Sequence, residues 1–250
     1  MSLLRVQRQG TGSTFVWLHG FTQTGASAYQ FRSILAGTNE LWTFDLPGHG
    51  DAAEINASLD ETADLVAALL PDEPVAIGGY SMGGRVALHV ALRHRARLSR
   101  LVVLGASRGI EDLDVRAERR ARDQRLADHL ETIGAEAFLD EWLSQPLFTS
   151  LPDDPRERAA RSTANAHGLA ASLRCSGTGT QEWLATRLAA LDVPTLALAG
   201  ANDAKFIVEA TAIATGVRHG TFGAIAHAGH AAHLEQPERT ADRIATFLNN

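Results

Sequence analysis

The segment that most constrains the fold is a glycine-flanked serine between a buried strand and a helix. Residues 75–78 (Val-Ala-Ile-Gly) predict the strand, residues 79–84 read Gly-Tyr-Ser-Met-Gly-Gly, and residues 82 to about 94 predict the helix. A serine at such a sharp turn has strained backbone, and the flanking glycines remove side chains that would collide with neighbouring elements. The helix N-terminus favours negative charge developing near the Ser81 hydroxyl. The pattern indicates a catalytic serine; a glycine-rich turn that only connects strand to helix is the alternative.

The first hundred residues alternate short apolar runs with helical stretches, which is typical of βαβ units and a mostly parallel sheet. Further buried strands are predicted from apolar runs at residues 14–18, 41–44, 101–104, 194–198 and 221–225. The run Ser58-Leu59-Asp60-Glu61 is a capping box that begins a helix toward Leu70, and Pro71 ends it. Pro237 begins a last helix that runs to Leu248.

The pattern changes after Leu104. Residues 112–191 are charged, helical in period and poor in strand signals, and prolines divide them into at least two helical parts. We therefore predict an α/β fold in which helices flank a central sheet: residues 1–111 and 192–250 form the core, and residues 112–191 form an inserted helical cap.

Composition limits the classes of function. A net charge of −6 argues against a nucleic-acid binder, and no segment reaches the roughly 18 consecutive apolar residues of a membrane span. Cys175 is the only cysteine, so no disulfide can form within the chain, and the first five residues lack the pattern of a secretory signal. We expect a cytoplasmic protein, monomeric or a small homo-oligomer, with small-molecule partners.

A serine hydroxyl needs a proton acceptor, so a carboxylate and a histidine should follow it along the chain. Asp203 comes just after the predicted strand at residues 194–198, at the end that carries the serine turn, whereas Asp192 precedes that strand and would lie at the wrong end. His230 follows the last strand, and the glycine before it suits a loop that approaches the serine closely. His227 and His233 are the alternatives to His230.

An oxyanion hole is expected at the N–H groups of Met82 and Phe21, the latter in the loop after the first of these strands. His19 and His49 are interpreted as structural residues of neighbouring loops. Three histidines spaced by three, without a cysteine partner or a second acidic cluster, favour a triad loop over a zinc site. No metal and no cofactor are predicted.

Several runs go beyond general signals of the fold and together resemble one family. These runs are residues 79–85, 116–123, 142–148, 165–170, 203–206 and 228–235. The chain is similar over nearly its whole length to the 2-succinyl-6-hydroxy-2,4-cyclohexadiene-1-carboxylate synthases of menaquinone biosynthesis, members of the α/β-hydrolase superfamily. It departs from them at Ser107-Arg108-Gly109, where the family usually has a Pro-Gly pair, and in a short segment between Gly50 and Ser58. Two residues are also inserted between Asn165 and Gly168, which affects the register of Arg161.

The resemblance implies a lyase that removes a proton with its triad and expels pyruvate from an anionic cyclohexene substrate. A serine hydrolase of carboxylic esters or carbon–carbon bonds is the alternative. The resemblance also implies substrate-binding roles for Arg85, Arg119, Arg161, Tyr80 and Trp142. Arg85 should be buried, where a lone cation is costly, so it needs either a bound carboxylate or an acidic partner. For Arg119 a solvated helix face is the alternative, and for Trp142 it is the core of the cap.

Overall fold

The computed structural model describes residues 4–250. The first three residues of the predicted core, which also begin the segment considered for a secretory signal, lie outside the described residues. Within residues 4–250, seven strands form one sheet in the order β1-β3-β2-β4-β5-β6-β7. The strands are β1 (Gln7–Gln9), β2 (Thr14–Leu18), β3 (Glu40–Thr43), β4 (Val75–Tyr80), β5 (Leu98–Leu104), β6 (Thr195–Gly200) and β7 (Gly220–Ile225). Among the strands in the described part of the chain, only β1 is antiparallel to its neighbour, which confirms the mostly parallel α/β sheet.

Both faces of the central strands β2, β4, β5 and β6 are covered, as a parallel sheet requires. Along β2, Val16 and Leu18 belong to the apolar cluster on one face, and Phe15 and Trp17 belong to the cluster on the other. All six residues of β4 are buried, so the strand that leads to Ser81 is fixed from both sides.

Outside the predicted cap, the described residues form six α-helices: α1 (Tyr29–Leu35), α2 (Leu59–Ala67), α3 (Met82–Arg93), α9 (Ala204–Gly216), α10 (Ala232–Glu235) and α11 (Pro237–Asn249). The capping box of α2 is present in both directions between Ser58 and Glu61. The helix ends at Ala67, earlier than predicted, because the amides of Leu69 and Leu70 donate to carbonyls three residues back and tighten the chain before Pro71.

Five helices lie between β5 and β6, within the span predicted for the cap: α4 (Leu113–Ile133), α5 (Ala135–Leu143), α6 (Pro155–Arg161), α7 (Ala166–Ser176) and α8 (Ala185–Leu188). The helices α4, α5 and α7 share a small apolar core that includes Leu130, Phe138 and Leu169. Phe21 of the sheet domain packs against this core. No helix within residues 4–250 is long and apolar enough to cross a bilayer.

Candidate active site

Ser81 lies at a strained turn between β4 and α3. Its backbone has φ 50° and ψ −105°, and its N–H donates to the Leu104 carbonyl over 2.8 Å. A Cβ atom at Gly79 would overlap the carbonyl group of Gly83, and one at Gly83 would overlap the carbonyl of Leu18. The glycines are therefore required for strand and helix to approach closely enough to hold the serine in this conformation.

The three residues predicted as a triad come together. His230 Nδ1 lies 2.8 Å from Asp203 Oδ2, and His230 Nε2 lies 3.3 Å from Ser81 Oγ. His230 and Asp203 are only 3% and 8% exposed. Since a carboxylate can only accept, Nδ1 carries the proton, which leaves Nε2 free to accept the proton of the serine hydroxyl.

Asp203 is held by the end of its own strand and by the start of the next helix. It follows β6 and caps α9, where Oδ1 accepts the Phe206 N–H over 3.3 Å while Oδ2 faces His230. The positive end of α9 stabilises the ionised carboxylate. The same residue is thus a helix cap and the partner of the histidine.

The alternatives to these residues lie elsewhere. His227 is exposed, and Asp192 pairs with Arg95 and His219. His233 is buried, its Nε2 lies 3.1 Å from Gln23 Nε2, and burial lowers its pKa well below the usual value. None of the three contacts Ser81 in the way that His230 does.

Glu235 holds the backbone on both sides of His230. Its Oε2 accepts the Gly229 N–H over 2.7 Å, and its Oε1 accepts the Ala231 N–H over 3.0 Å. Glu235 lies in one of the runs that resemble the family, but the sequence analysis assigned it no role. The Gly229 and Ala231 amides, six and four residues before it, come within hydrogen-bonding distance of its carboxylate only because α10 turns the chain back. These two hydrogen bonds fix the loop from which the His230 imidazole projects.

The amides of Phe21 and Met82 are available for an oxyanion. Both residues line the cleft beside Ser81, and within residues 4–250 neither N–H has an acceptor in the chain. The Gly20 carbonyl accepts the His19 Nδ1–H over 2.9 Å and the Gln23 N–H over 3.1 Å. Because the peptide is trans, anchoring this carbonyl sets the direction of the Phe21 N–H on the opposite side.

His19 and His49 brace the loop that carries Phe21. His19 Nε2 accepts the Leu46 N–H over 2.9 Å, and His49 Nε2 accepts the Thr22 N–H over 3.3 Å. Burial lowers the pKa of His19 to about 4 and that of His49 to about 3. Both rings are therefore neutral at physiological pH and serve as fixed hydrogen-bonding groups.

A cleft of about 1000 Å³, including its open mouth, lies between the sheet domain and the cap. Apart from Asp203, which lies behind His230, every residue predicted for the site lines it: Phe21, Tyr80, Ser81, Met82, Arg85, Arg119, Trp142, Arg161 and His230. Lys205, Phe148 and Phe206 also line it and were not assigned to the site from the sequence. Four lining residues are cationic and none is acidic, although the chain carries a net charge of −6.

Arg85 is 8% exposed, and in residues 4–250 no carboxylate lies within 4.0 Å of its guanidinium nitrogens. Its Nη1 donates to the Ser176 carbonyl over 2.8 Å, at the C-terminal end of α7, whose partial negative charge favours a cation. Burial and nearby Arg119 lower the Arg85 pKa to about 10, so the group stays charged at neutral pH. The acidic partner considered from the sequence is absent from this part of the chain.

Arg119 and Arg161 are each held by a carboxylate of the cap. Arg119 Nε donates to Asp123 Oδ1 over 2.8 Å, and Arg161 Nη2 donates to Glu157 Oε1 over 2.9 Å. Arg161 Nη1 also contacts the Thr22 hydroxyl. These bonds orient both guanidinium groups at the cleft.

Aromatic rings form the apolar part of the lining. Tyr80 packs against the His230 ring at 5.2 Å between centroids, and Trp142 packs against Phe21 at 5.1 Å. Burial raises the pKa of Tyr80, so its hydroxyl stays protonated. The indole Nε1 of Trp142 is buried without a hydrogen-bond partner in residues 4–250. Trp142 is thus part of the cap core and also a wall of the cleft.

The model of the alpha/beta hydrolase family matches residues 15–243. The 2-succinyl-6-hydroxy-2,4-cyclohexadiene-1-carboxylate synthase of Escherichia coli strain UMN026 is 34% identical, over 93% of this chain and 92% of that one. The chain belongs to this synthase family of α/β hydrolases. The structure of MenH from S. aureus superimposes with a TM-score of 0.91 at 31% identity, covering 100% of this chain and 98% of that one. The structure of a thermophilic esterase from Thermogutta terrifontis, with malate bound, has a TM-score of 0.84 at 27% identity, covering 98% of this chain and 93% of that one.

The departure from the family at residues 107–109 is anchored by its own contacts. The Arg108 carbonyl accepts the Leu184 N–H over 2.8 Å, and the Arg108 N–H donates to Glu209 over 3.1 Å. Gly109 has φ 102°, which only glycine adopts readily. The loop into the cap is therefore fixed without a Pro-Gly pair.

Residues 4–250 contain no group of three or more His, Cys, Asp or Glu side chains arranged to hold a metal ion.

Proposed function

We propose that this protein eliminates pyruvate from 2-succinyl-5-enolpyruvyl-6-hydroxy-3-cyclohexene-1-carboxylate to give 2-succinyl-6-hydroxy-2,4-cyclohexadiene-1-carboxylate. The observation that carries the proposal is a cleft with four cations and no carboxylate beside a serine–histidine–aspartate constellation. A substrate with several carboxylates matches this lining, because charged hydrogen bonds to guanidinium groups are the strongest available in such a cleft. The activity in the names of the relatives agrees with it.

The reaction begins with proton removal from the ring carbon that carries the succinyl group. Ser81 takes this proton as it passes its own to His230 Nε2, and Asp203 stabilises the resulting imidazolium. The electron pair left on the ring shifts through the ring double bond and breaks the bond to the enolpyruvyl oxygen. Pyruvate leaves as its enolate, which takes up a proton, and no covalent bond to the serine forms.

Charge develops on the succinyl carbonyl as the proton leaves. The N–H groups of Phe21 and Met82 are placed to stabilise this oxygen, since each lines the cleft and has no acceptor in residues 4–250. Arg85, Arg119 and Arg161 are assigned to the carboxylates of the substrate, and Tyr80 and Trp142 to its ring.

The test is release of pyruvate from freshly prepared substrate, followed by a coupled reduction of pyruvate. The purified protein should release pyruvate far faster than a protein-free blank, which measures the uncatalysed reaction. A rate equal to the blank would overturn the proposal.

Serine hydrolysis is the second candidate, because a serine, a histidine acceptor and two free amides also suffice for acyl transfer, and the esterase neighbour has the same fold. Here Ser81 would attack a carbonyl carbon and form an acyl-enzyme. Rapid turnover of aryl esters and stoichiometric labelling of Ser81 by a fluorophosphonate, without pyruvate release, would favour this candidate.

The domain boundaries at residues 111 and 192, the cytoplasmic location and the monomeric or small homo-oligomeric state stay predictions. The absence of nucleic-acid binding is also a prediction. Light scattering on the purified chain measures the oligomeric state directly.

A further inference from the structure

The cap contacts the loop that carries Phe21 through one nearly buried carboxylate. Glu157 on α6 is 11% exposed at its side chain. Its Oε1 accepts from Arg161 Nη2 over 2.9 Å and from Gln23 Nε2 over 3.2 Å, and its Oε2 accepts the Ala28 N–H over 2.8 Å. One side chain therefore joins a cation of the cleft to two positions in residues 19–28, which we name the oxyanion loop.

Gln23 transmits this contact to the peptide between Gly20 and Phe21. Its Oε1 accepts the Gly20 N–H over 3.0 Å, and its own N–H donates to the Gly20 carbonyl over 3.1 Å. The other hydrogen of the Gln23 amide reaches His233 Nε2 over 3.1 Å. The side-chain amide of Gln23 is thus fixed by Glu157, Gly20 and His233 together. Gln23 in turn holds both the N–H and the carbonyl of Gly20, and this carbonyl sets the direction of the Phe21 N–H.

The remaining contacts of α6 lead to the same loop. Arg161 Nη1 contacts the hydroxyl of Thr22, a non-glycine residue held at φ 67°. At Ala28, which precedes α1 in a left-handed conformation and offers no side-chain cap, Glu157 of α6 supplies an acceptor. A carboxylate with these partners holds the loop in a conformation that it does not favour on its own.

We propose that Glu157 is a positioning residue that couples the cap to the oxyanion hole. It orients Arg161 toward the substrate and, through Gln23, fixes the peptide that carries the Phe21 N–H. The proposal rests on the proposed function for its rate assay. Because Glu157 acts on a group that contacts the reacting carbonyl, its loss should lower kcat as well as raise KM.

The experiment compares Glu157→Gln with Glu131→Gln. Glu131 is also a cap carboxylate paired with an arginine, Arg174, but that pair lies outside the cleft. Glutamine at residue 157 keeps the size of the side chain and loses the charge that holds Arg161. We expect kcat for pyruvate release to fall about ten- to hundredfold in Glu157→Gln, as for other displaced catalytic groups, and to stay near the unsubstituted value in Glu131→Gln.

Amide hydrogen exchange supplies a readout that needs no substrate. In the free protein, Glu157→Gln should increase exchange in residues 19–28, whereas Glu131→Gln should leave that segment unchanged. If Glu157→Gln does not fold, Glu157→Asp keeps the charge but moves the carboxylate, and the same two changes are expected at smaller amplitude.

Three outcomes decide the proposal. A fall in kcat together with faster exchange in residues 19–28 supports it. Unchanged kcat and exchange overturn it, and a lower melting temperature with unchanged kcat also overturns it, because that shows only a structural role. If the unsubstituted protein releases no pyruvate, the proposed function fails, and the exchange comparison alone then decides whether Glu157 holds the oxyanion loop.

Discussion

The two walls of the cleft are built in different ways. On the sheet wall, helix α3 has ten buried residues out of 12, and the ends of buried strands fix Ser81 and the loops of Asp203 and His230. On the cap wall, helix α4 has only three buried residues out of 21, and long side chains such as Arg119 are oriented by ion pairs. The proposed reaction chemistry thus depends on backbone geometry, whereas the cations that the cap contributes depend on side chains supported by a thinner core.

The difference suggests that the walls fail in different ways when they are altered. A change among the residues that hold Ser81, Asp203 and His230 should lower kcat. A change among the cations of the cleft, whether on the cap or at Arg85 on α3, should mainly raise KM if these residues bind the substrate and its transition state alike, as proposed.

The largest effect is expected for Ser81→Ala. Without the hydroxyl, His230 has no group through which to remove the ring proton, and kcat should fall about a thousandfold or more, as for triad members in general. Pyruvate release under single-turnover conditions measures this. Ser144→Ala, at an exposed position of the cap, is the control and should keep the full rate. A residual rate within tenfold of the original would place the base elsewhere.

A smaller effect is expected for Arg85→Lys. Lysine keeps the charge but cannot form the two parallel hydrogen bonds of a guanidinium, so kcat/KM should fall roughly thirtyfold, mainly through KM. Arg93→Lys makes the same substitution on the same helix, at a site that pairs with Asp64 instead of facing the cleft. Equal KM values for the two variants would show that Arg85 binds no carboxylate.

Glu235→Gln should lower kcat by about tenfold. A glutamine oxygen can replace only one of the two acceptors that hold Gly229 and Ala231, so the His230 loop loses part of its support. Steady-state kinetics tests this, because a misplaced imidazole lowers kcat and leaves KM near the unsubstituted value. Glu238→Gln, nearby on α11, serves as the control. A lower melting temperature with an unchanged kcat would rule out a role in the triad.

The last expected effect is on stability in acid and not on the rate of pyruvate release. His19 and His49 have folded pKa values of about 4 and about 3, below the usual 6.5, so the unfolded chain binds protons that the folded chain does not. Their contribution is complete above pH 6.5 and is lost as the pH falls toward 4, at up to about 1.4 kcal/mol per pH unit for each histidine. Urea unfolding at pH 7.5 and pH 5 should show this loss, and His49→Gln should reduce it. A free energy of unfolding that is equal at both pH values would contradict neutral burial of these rings.

Sequence patterns predicted the sheet wall well because its signals are local. The glycines around Ser81 and the capping box at Ser58 each specify a backbone conformation within a few residues. Strand β1 was missed because all three of its residues are exposed and show no apolar alternation. Helix α1 was missed because it has seven residues and no side-chain cap of its own.

The helical cap was predicted from its pattern, but the site residues on it were predicted only through family resemblance. Its contacts join residues far apart in the chain, such as Glu157 with Gln23 and Arg85 with the Ser176 carbonyl. No periodicity or spacing encodes such pairs, because they depend on where the inserted helices meet the sheet domain. Composition did not predict the cations of the cleft either. Lys205 is the only lysine of the sequence and lines the cleft, but it was not assigned to the site.

A crystal structure with the cyclohexadiene product bound is the most direct test of the division between the walls. We predict a product carboxylate within hydrogen-bonding distance of the Arg85 guanidinium and the succinyl carbonyl oxygen facing the N–H groups of Phe21 and Met82, with Ser81 unmodified. A product bound with its carboxylates directed away from Arg85 and its carbonyl remote from both amides would contradict this account.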